Sequence, residues 1–152
     1  FNNMGFTTIS GNDVVFARRK VNTIENILNV KYSFTNMMWL TFRMRHYVST
    51  VDNKEFFQLQ SNGKLQPLPG FTGDVNQNLN LFNIDMVYTW QFAPGSFINI
   101  VWKNSIFSAD KDVQSMYWSN LQNTLANGPV NSLSFKLIYW LDAGSIISKI
   151  KL

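Results

Sequence analysis

The residues best equipped for chemistry are few and scattered. His46 is the only histidine and sits in "RMRHY", directly after Arg43 and Arg45. A lone imidazole can act as a general base, but no GxSxG elbow and no acidic partner at a recognisable spacing accompanies it. Its place after Phe42 and Met44 on a strand face favours a polar tip at an interface over catalysis. Asp110 and Asp112 in "ADKD" could offer oxygen ligands to calcium, yet the twelve-residue EF-hand pattern is missing. They read better as solvated loop charges or helix-start residues. The sequence therefore nominates no catalytic residue, no metal site and no cofactor.

A second set of charges has a pattern. Lys31, Arg43, Arg45, Asp85, Lys103 and Lys136 all fall on the polar side of alternating segments. Facing inward in a barrel, with Glu25 and Asp85 as partial offsets, they would line the interior positively and favour anions. The plainer alternative is that they pair with one another and fill the interior, as side chains commonly do in narrow barrels.

The elements that must carry these residues are strands. Period-two alternation dominates. Long strands are expected near 22–34, 38–50, 80–92, 97–107 and 131–142, and shorter ones at 14–19 and 54–60. In "NIDMVYTWQFAPGSFINIVWKNSIF", residues 83–107, Ile84, Met86, Tyr88, Trp90 and Phe92 alternate with Asp85, Val87, Thr89 and Gln91. After the Pro-Gly turn, Ile98, Ile100, Trp102 and Ile106 continue one face. Such a face can meet a protein core or lipid.

Composition leans towards lipid. Of 152 residues, 15% are aromatic and only 14% charged, against roughly 25% charged in ordinary soluble domains. The net charge of +4 is dispersed, with no basic run of the kind that grips nucleic acid. Absence of cysteine excludes disulfides and Cys-type zinc sites. No run reaches the ~20 apolar residues of a membrane-spanning helix. The chain opens "FNNMGFTTISGND", without an initiator Met or a signal peptide, as expected of a piece of something longer.

Two further features favour a barrel over a sandwich. Several strands exceed the usual 5 to 6 residues; thirteen residues at about 3.3 Å and ~45° tilt would rise roughly 30 Å. Connections also alternate. Thr35-Asn36-Met37 and Ala93-Pro94-Gly95-Ser96 are tight, while 51–79 and 108–130 are long, which is the parity of periplasmic turns and extracellular loops. Trp39, Tyr88, Trp90, Phe92, Trp102, Tyr139 and Trp140 then become interfacial aromatics, settling at the headgroup level. The expected architecture is an all-β, antiparallel, up-and-down transmembrane barrel of which this chain supplies the C-terminal strands as a single domain. Five to seven strands do not close a barrel, so the lipid bilayer and either further strands of the same protein or other outer-membrane subunits are the expected partners, the rival being a complete small eight-stranded barrel, which a length near 150 residues would suit.

The phrases "NILNVKYSFTNMMWLTFRMRHYVS", "WQFAPGS" followed by "VWKN", "FKLIYWLD" and "GNDVVFARRKVNTIEN" resemble the C-terminal portion of a Bacteroidetes family whose members carry a carbohydrate-binding-module family 9-like domain before a domain of unknown function of the DUF5916 type. The resemblance covers nearly all the chain from about residue 12. It implies an outer-membrane β-barrel and no defined activity. The role expected of the chain is solute passage or a surface docking or scaffold function linked to carbohydrate uptake.

The long loops carry the remaining signals. In "DKDVQSMYWSNLQNTLANG", Val113, Tyr117, Leu121 and Leu125 fall at helical spacing before an Asn-Gly-Pro stop. A short helix is expected there, packed on neighbouring loops or folded over the mouth as a gate. In "KEFFQLQSNGKLQPLPGFTG", Asn62-Gly63 marks a hairpin, and Phe56, Phe57 and Phe71 could stack on glycans or pack the loop onto the rim. Two rival functions remain. A soluble antiparallel domain binding carbohydrate would show short strands, and a barrel hydrolase would bring His46 within reach of Ser or Asp.

Overall fold

The computed structural model describes residues 2–113 and 116–141. Its elements run β1 (Asn2–Ser10), β2 (Asp13–Thr35), β3 (Met38–Leu59), β4 (Leu65–Pro67), β5 (Gln77–Ala93), β6 (Ser96–Asp110), α1 (Tyr117–Ala126) and β7 (Val130–Ile138). The seven strands form one sheet in the order β1-β2-β3-β5-β6-β7, with β4 paired to β3. β1 runs antiparallel to β2, with Gly5 opposite Ala17 and a register shift between Phe6 and Thr8; β4 runs antiparallel to β3, with Leu65 opposite Leu59. The protein is thus an all-β sheet with one short helix. It does not close into a barrel among the described residues: β1 and β7 end the hydrogen-bonded order.

Strand boundaries differ from those expected. The segments 14–19 and 22–34 are one strand of 23 residues, and 38–50 with 54–60 is one of 22. Polar clusters such as Arg18-Arg19-Lys20 and Asp52-Asn53-Lys54 look like interruptions in sequence. Backbone ladders hold through them, because a strand needs only its paired neighbour. β1 lies where no strand was expected, and β7 ends at Ile138, while position 142 of the expected last strand lies outside the described residues.

The turns follow their chemistry. Pro94-Gly95 joins β5 to β6 with Gly95 at φ +70°; Pro at the second position and a positive-φ Gly at the third fit a type II turn. Gly11, at φ +61°, is the second residue of the β1–β2 turn Ser10–Asp13, where a II′ hairpin turn takes a positive φ.

Two compact units divide these strands. One comprises Phe1–Ile27, Arg45–Phe82 and Ser105–Pro129, the other Leu28–Met44, Asn83–Asn104 and Val130–Leu152. The first holds the buried apolar residues Val15, Ala17, Val48, Phe82 and Ile106, and α1.

Candidate functional site

The second unit presents the faces nominated by alternation. On one side stand Leu28, Val30, Tyr32 and Phe34 of β2, Trp90 of β5, Ile100 of β6 and Leu133, Phe135 and Leu137 of β7, all exposed. Contacts tie this side together. Tyr32 and Phe34 meet edge-on at 4.9 Å, Phe34 approaches Tyr88 at 6.5 Å, and Tyr88 Oη donates to Met38 Sδ at 3.0 Å. Trp90 contacts Phe92, Phe92 stacks on Tyr139 at 6.2 Å, and Trp102 Nε1 donates to Asn131 Oδ1 at 3.2 Å. Large apolar side chains therefore cluster without a layer over them among the described residues.

On the polar positions, Lys103 Nζ lies 3.8 Å from Asp85 Oδ1, and Thr89 Oγ1 donates to Asn99 Oδ1 at 2.8 Å. Lys31 Nζ stands 5.7 Å from the centre of the Trp39 ring, so Trp39 keeps company with a cation rather than with the apolar cluster. Arg43 and Lys136 are exposed. Trp140 is exposed too, with its backbone N–H on Ser96 Oγ and its Cβ where a side chain at Gly95 would come within 3.0 Å.

Arg45 belongs to the first unit, where its Nε bonds Glu25 Oε1 at 2.6 Å. Arg45 with Glu25 and Lys103 with Asp85 are both partly exposed pairs, and they involve the two carboxylates named as offsets in the sequence.

In the first unit the most deeply buried side chains of the helix are polar. α1 buries Asn120 and Thr124 and exposes Met116, just before it, with Trp118 and Leu125. Of the apolar residues at helical spacing, Val113, Tyr117, Leu121 and Leu125, Tyr117 and Leu121 are half-buried on the face that carries Asn120 and Thr124, and Leu125 faces outward. What holds the helix is an amide cluster. Asn120 and Asn78 exchange two bonds, Nδ2 of each donating to Oδ1 of the other at 3.0 and 3.1 Å. Asn80 Nδ2 donates to both of those oxygens, and Asn78 Nδ2 also reaches Asp110 Oδ1 at 3.0 Å. An amide offers two donors and two lone pairs. Both Asn78 donors and both Asn80 donors are thereby used, leaving Asn80 Oδ1 buried without a partner among the described residues.

His46 is buried beside this cluster, its Nδ1 2.9 Å from Tyr117 Oη and its ring 6.1 Å from Phe82. Burial pushes its pKa below the ordinary 6.5. Among the described residues, the polar side chain recorded against it is the Tyr117 phenol, not Ser or Asp. Asp110 accepts from Asn78 and from the Asp112 N–H; among the described residues no group of three or more His, Cys, Asp or Glu could hold a metal. The asparagines escaped sequence reading, although Asn78 and Asn80 two apart in a strand, with Asn120 and Thr124 four apart in a helix, share the spacing of buried faces.

Around the β3–β4 connection, Phe56, Phe57, Leu68 and Phe71 with Pro67, Pro69, Lys54 and Glu55 line a cavity of about 450 Å³. Phe56 and Phe71 lie 4.7 Å apart, and Arg18 bridges to Glu55 at 3.0 Å.

A family model described as a domain of unknown function, DUF5916, matches residues 1–150. The chain belongs to that family. No curated protein and no solved structure matches the chain. Among the described residues, no helix of this DUF5916 chain is long and apolar enough to cross a membrane, a test that does not bear on strands.

Proposed function

We propose that this DUF5916 chain supplies strands to an outer-membrane β-barrel, with the apolar side of the second unit against lipid and the polar side inward. The observation that carries the reading is the exposed array on β2, β5, β6 and β7. Soluble monomers rarely leave more than a few hundred Å² of contiguous apolar surface bare. Segment length agrees. Ile84–Phe92 covers nine residues, about 30 Å of strand and roughly 21 Å of height at 45° tilt, close to the ~25 Å apolar band of such barrels. His46, Asn78 and Asn80 then lie outside the span. Edges open to hydrocarbon would leave backbone groups unsatisfied at several kcal/mol each, so further strands of the same protein or of other outer-membrane subunits complete the wall.

The role is passage of solutes or docking at the surface, linked to carbohydrate uptake, and not catalysis. The cavity formed by Phe56 and Phe71 is the natural place for a glycan contact, because aromatic faces with a charged rim suit sugar rings. An attached carbohydrate-binding-module family 9-like domain in a Bacteroidetes parent protein would be consistent with that role.

Fractionation of the parent organism, followed by gels of boiled and unboiled samples, tests this. The expected result is recovery with outer membranes and a mobility that changes on boiling, since folded barrels resist SDS. A soluble protein with one mobility would overturn it and favour a carbohydrate-binding soluble domain.

A further inference from the structure

The two flanks of α1 differ. At about 100° per residue, Tyr117 and Leu121, half-buried beside Asn120 and Thr124, lead round one flank to exposed Leu125 and Trp118. Trp118 is 74% exposed, and Met116, just before the helix, is exposed as well. The other flank holds Gln122, Ser119 and Asn123, all exposed, and no residue of the helix carries a charge. A helix that meets only a sheet and water turns its apolar stripe to the sheet. In α1 the stripe is displaced from the buried side onto one flank.

The contacts of α1 say which side of the strands it occupies. Tyr117 Oη accepts from Asn26 Nδ2 at 2.9 Å and lies 2.9 Å from His46 Nδ1, while Asn120 bonds Asn78 and Asn80. Positions two apart in a strand share a side. Asn26 is two places from Leu28 in β2, His46 two from Met44 in β3, and Asn78 and Asn80 belong to the alternate series of Ile84 and Trp90 in β5. The residues that α1 touches are thus of the series that carries the apolar side chains, not of the series of Lys31, Arg43 and Asp85. Tyr117, where the apolar flank begins, stands at the positions nearest to Leu28 and Met44.

We infer that the apolar flank of α1, formed by Leu121, Leu125 and Trp118 with Met116, is a lipid-contact surface set in the boundary between headgroups and acyl chains on the outer wall of the barrel. The inference rests on the barrel reading. Each side of the helix then has its own medium: Asn120 and Thr124 meet the wall, the apolar flank meets acyl chains, and Gln122, Ser119 and Asn123 meet water. Trp is enriched at this level of a bilayer, and a helix without charges has no ion to desolvate there. Having no Lys or Arg, α1 draws nothing from anionic headgroups, so its bonds to the strands keep it in place. The connection between β6 and β7 accordingly lies outside the wall and not over a mouth.

Leu125→Cys, Asn123→Cys and Leu133→Cys, each labelled with a fluorophore in the intact protein and reconstituted in phosphatidylcholine vesicles, test this. Nitroxide-bearing lipids, with the nitroxide near the headgroup end or near the terminal methyl of the acyl chain, quench from the bilayer; iodide quenches from water. A mobility that still changes on boiling shows that a variant has folded, and Trp118→Cys replaces Leu125→Cys should the latter not fold. The label at 125 should be quenched by the headgroup-end nitroxide roughly threefold more than the label at 123, and iodide should give the reverse order. The label at 133, on β7, reports the barrel reading by itself. Nitroxide quenching at 133 without quenching at 125 overturns this inference and leaves the barrel standing, whereas quenching at neither overturns both. A label at 125 shielded from lipid and water alike would mean that a protein partner covers the flank, and would overturn the inference too, as would equal responses at 125 and 123.

Discussion

The two units use the same kind of strand for opposite ends. In the second, alternation puts Leu133, Phe135 and Leu137 where no other part of the described chain covers them; Leu133 is 74% exposed. In the first, the residues sealed away are Asn78, Asn80, Asn120 and His46, with Asn80 fully buried. A soluble domain would do the reverse in both places. The difference teaches that burial within one chain is decided by what each face meets, and that polar side chains can be buried when most of their hydrogen bonds are made among themselves, here with Asn80 Oδ1 left over.

The sharpest way to break this contrast is a charge on the bare face. Phe135→Arg near the middle of β7 should cost about 2–4 kcal/mol of folding stability if that face meets lipid, measured by the unboiled fraction on gels across a urea series. On a water-exposed surface the same change should stay within about 0.5 kcal/mol.

Next comes the amide cluster. Asn78→Ala removes the reciprocal bonds and leaves donors and acceptors of Asn120 and Asn80 unpaired, for a loss of about 1–3 kcal/mol and raised exchange across α1. Indifference to the change would mean the cluster does not hold the helix.

The smallest effect belongs to the polar side of the second unit. Asp85→Asn separates a half-exposed pair 3.8 Å apart, so stability should shift by less than about 1 kcal/mol. If that side lines a conducting interior, reversal potentials should move towards anion preference, which sharpens the comparison between the two faces.

Much of this was legible in sequence, and for a definite reason. Residues 84–92 and 133–137 alternate without interruption, so faces, pairing and the Pro94-Gly95 turn follow from period two. β1 was not legible, because "NNMGFTTIS" mixes small and polar residues, and its place depends on Ala17 and Arg19 across the ladder. The continuity of β2 through Arg18-Arg19-Lys20 was hidden likewise, since long-range pairing leaves no local mark. In α1 the apolar spacing marks the packed face through Tyr117 and Leu121, but not the two residues buried most deeply on it, Asn120 and Thr124. Hydrophobic periodicity assumes that what is buried is apolar, and Asn120 is buried because Asn78 and Asn80 await it. In sequence His46 stands as an isolated interfacial tip; its bond to Tyr117, 71 positions away, exists only in the fold.

The most direct test of the central claim uses the absence of cysteine in the chain. Single cysteines placed in turn from Leu133 to Leu137, spin-labelled in the intact membrane-embedded protein, report collisions with oxygen dissolved in lipid or with a water-borne nickel complex. The account predicts strict alternation, with positions 133, 135 and 137 open to lipid and 134 and 136 open to water or shielded. Uniform access to the water-borne reagent at all five positions would contradict it.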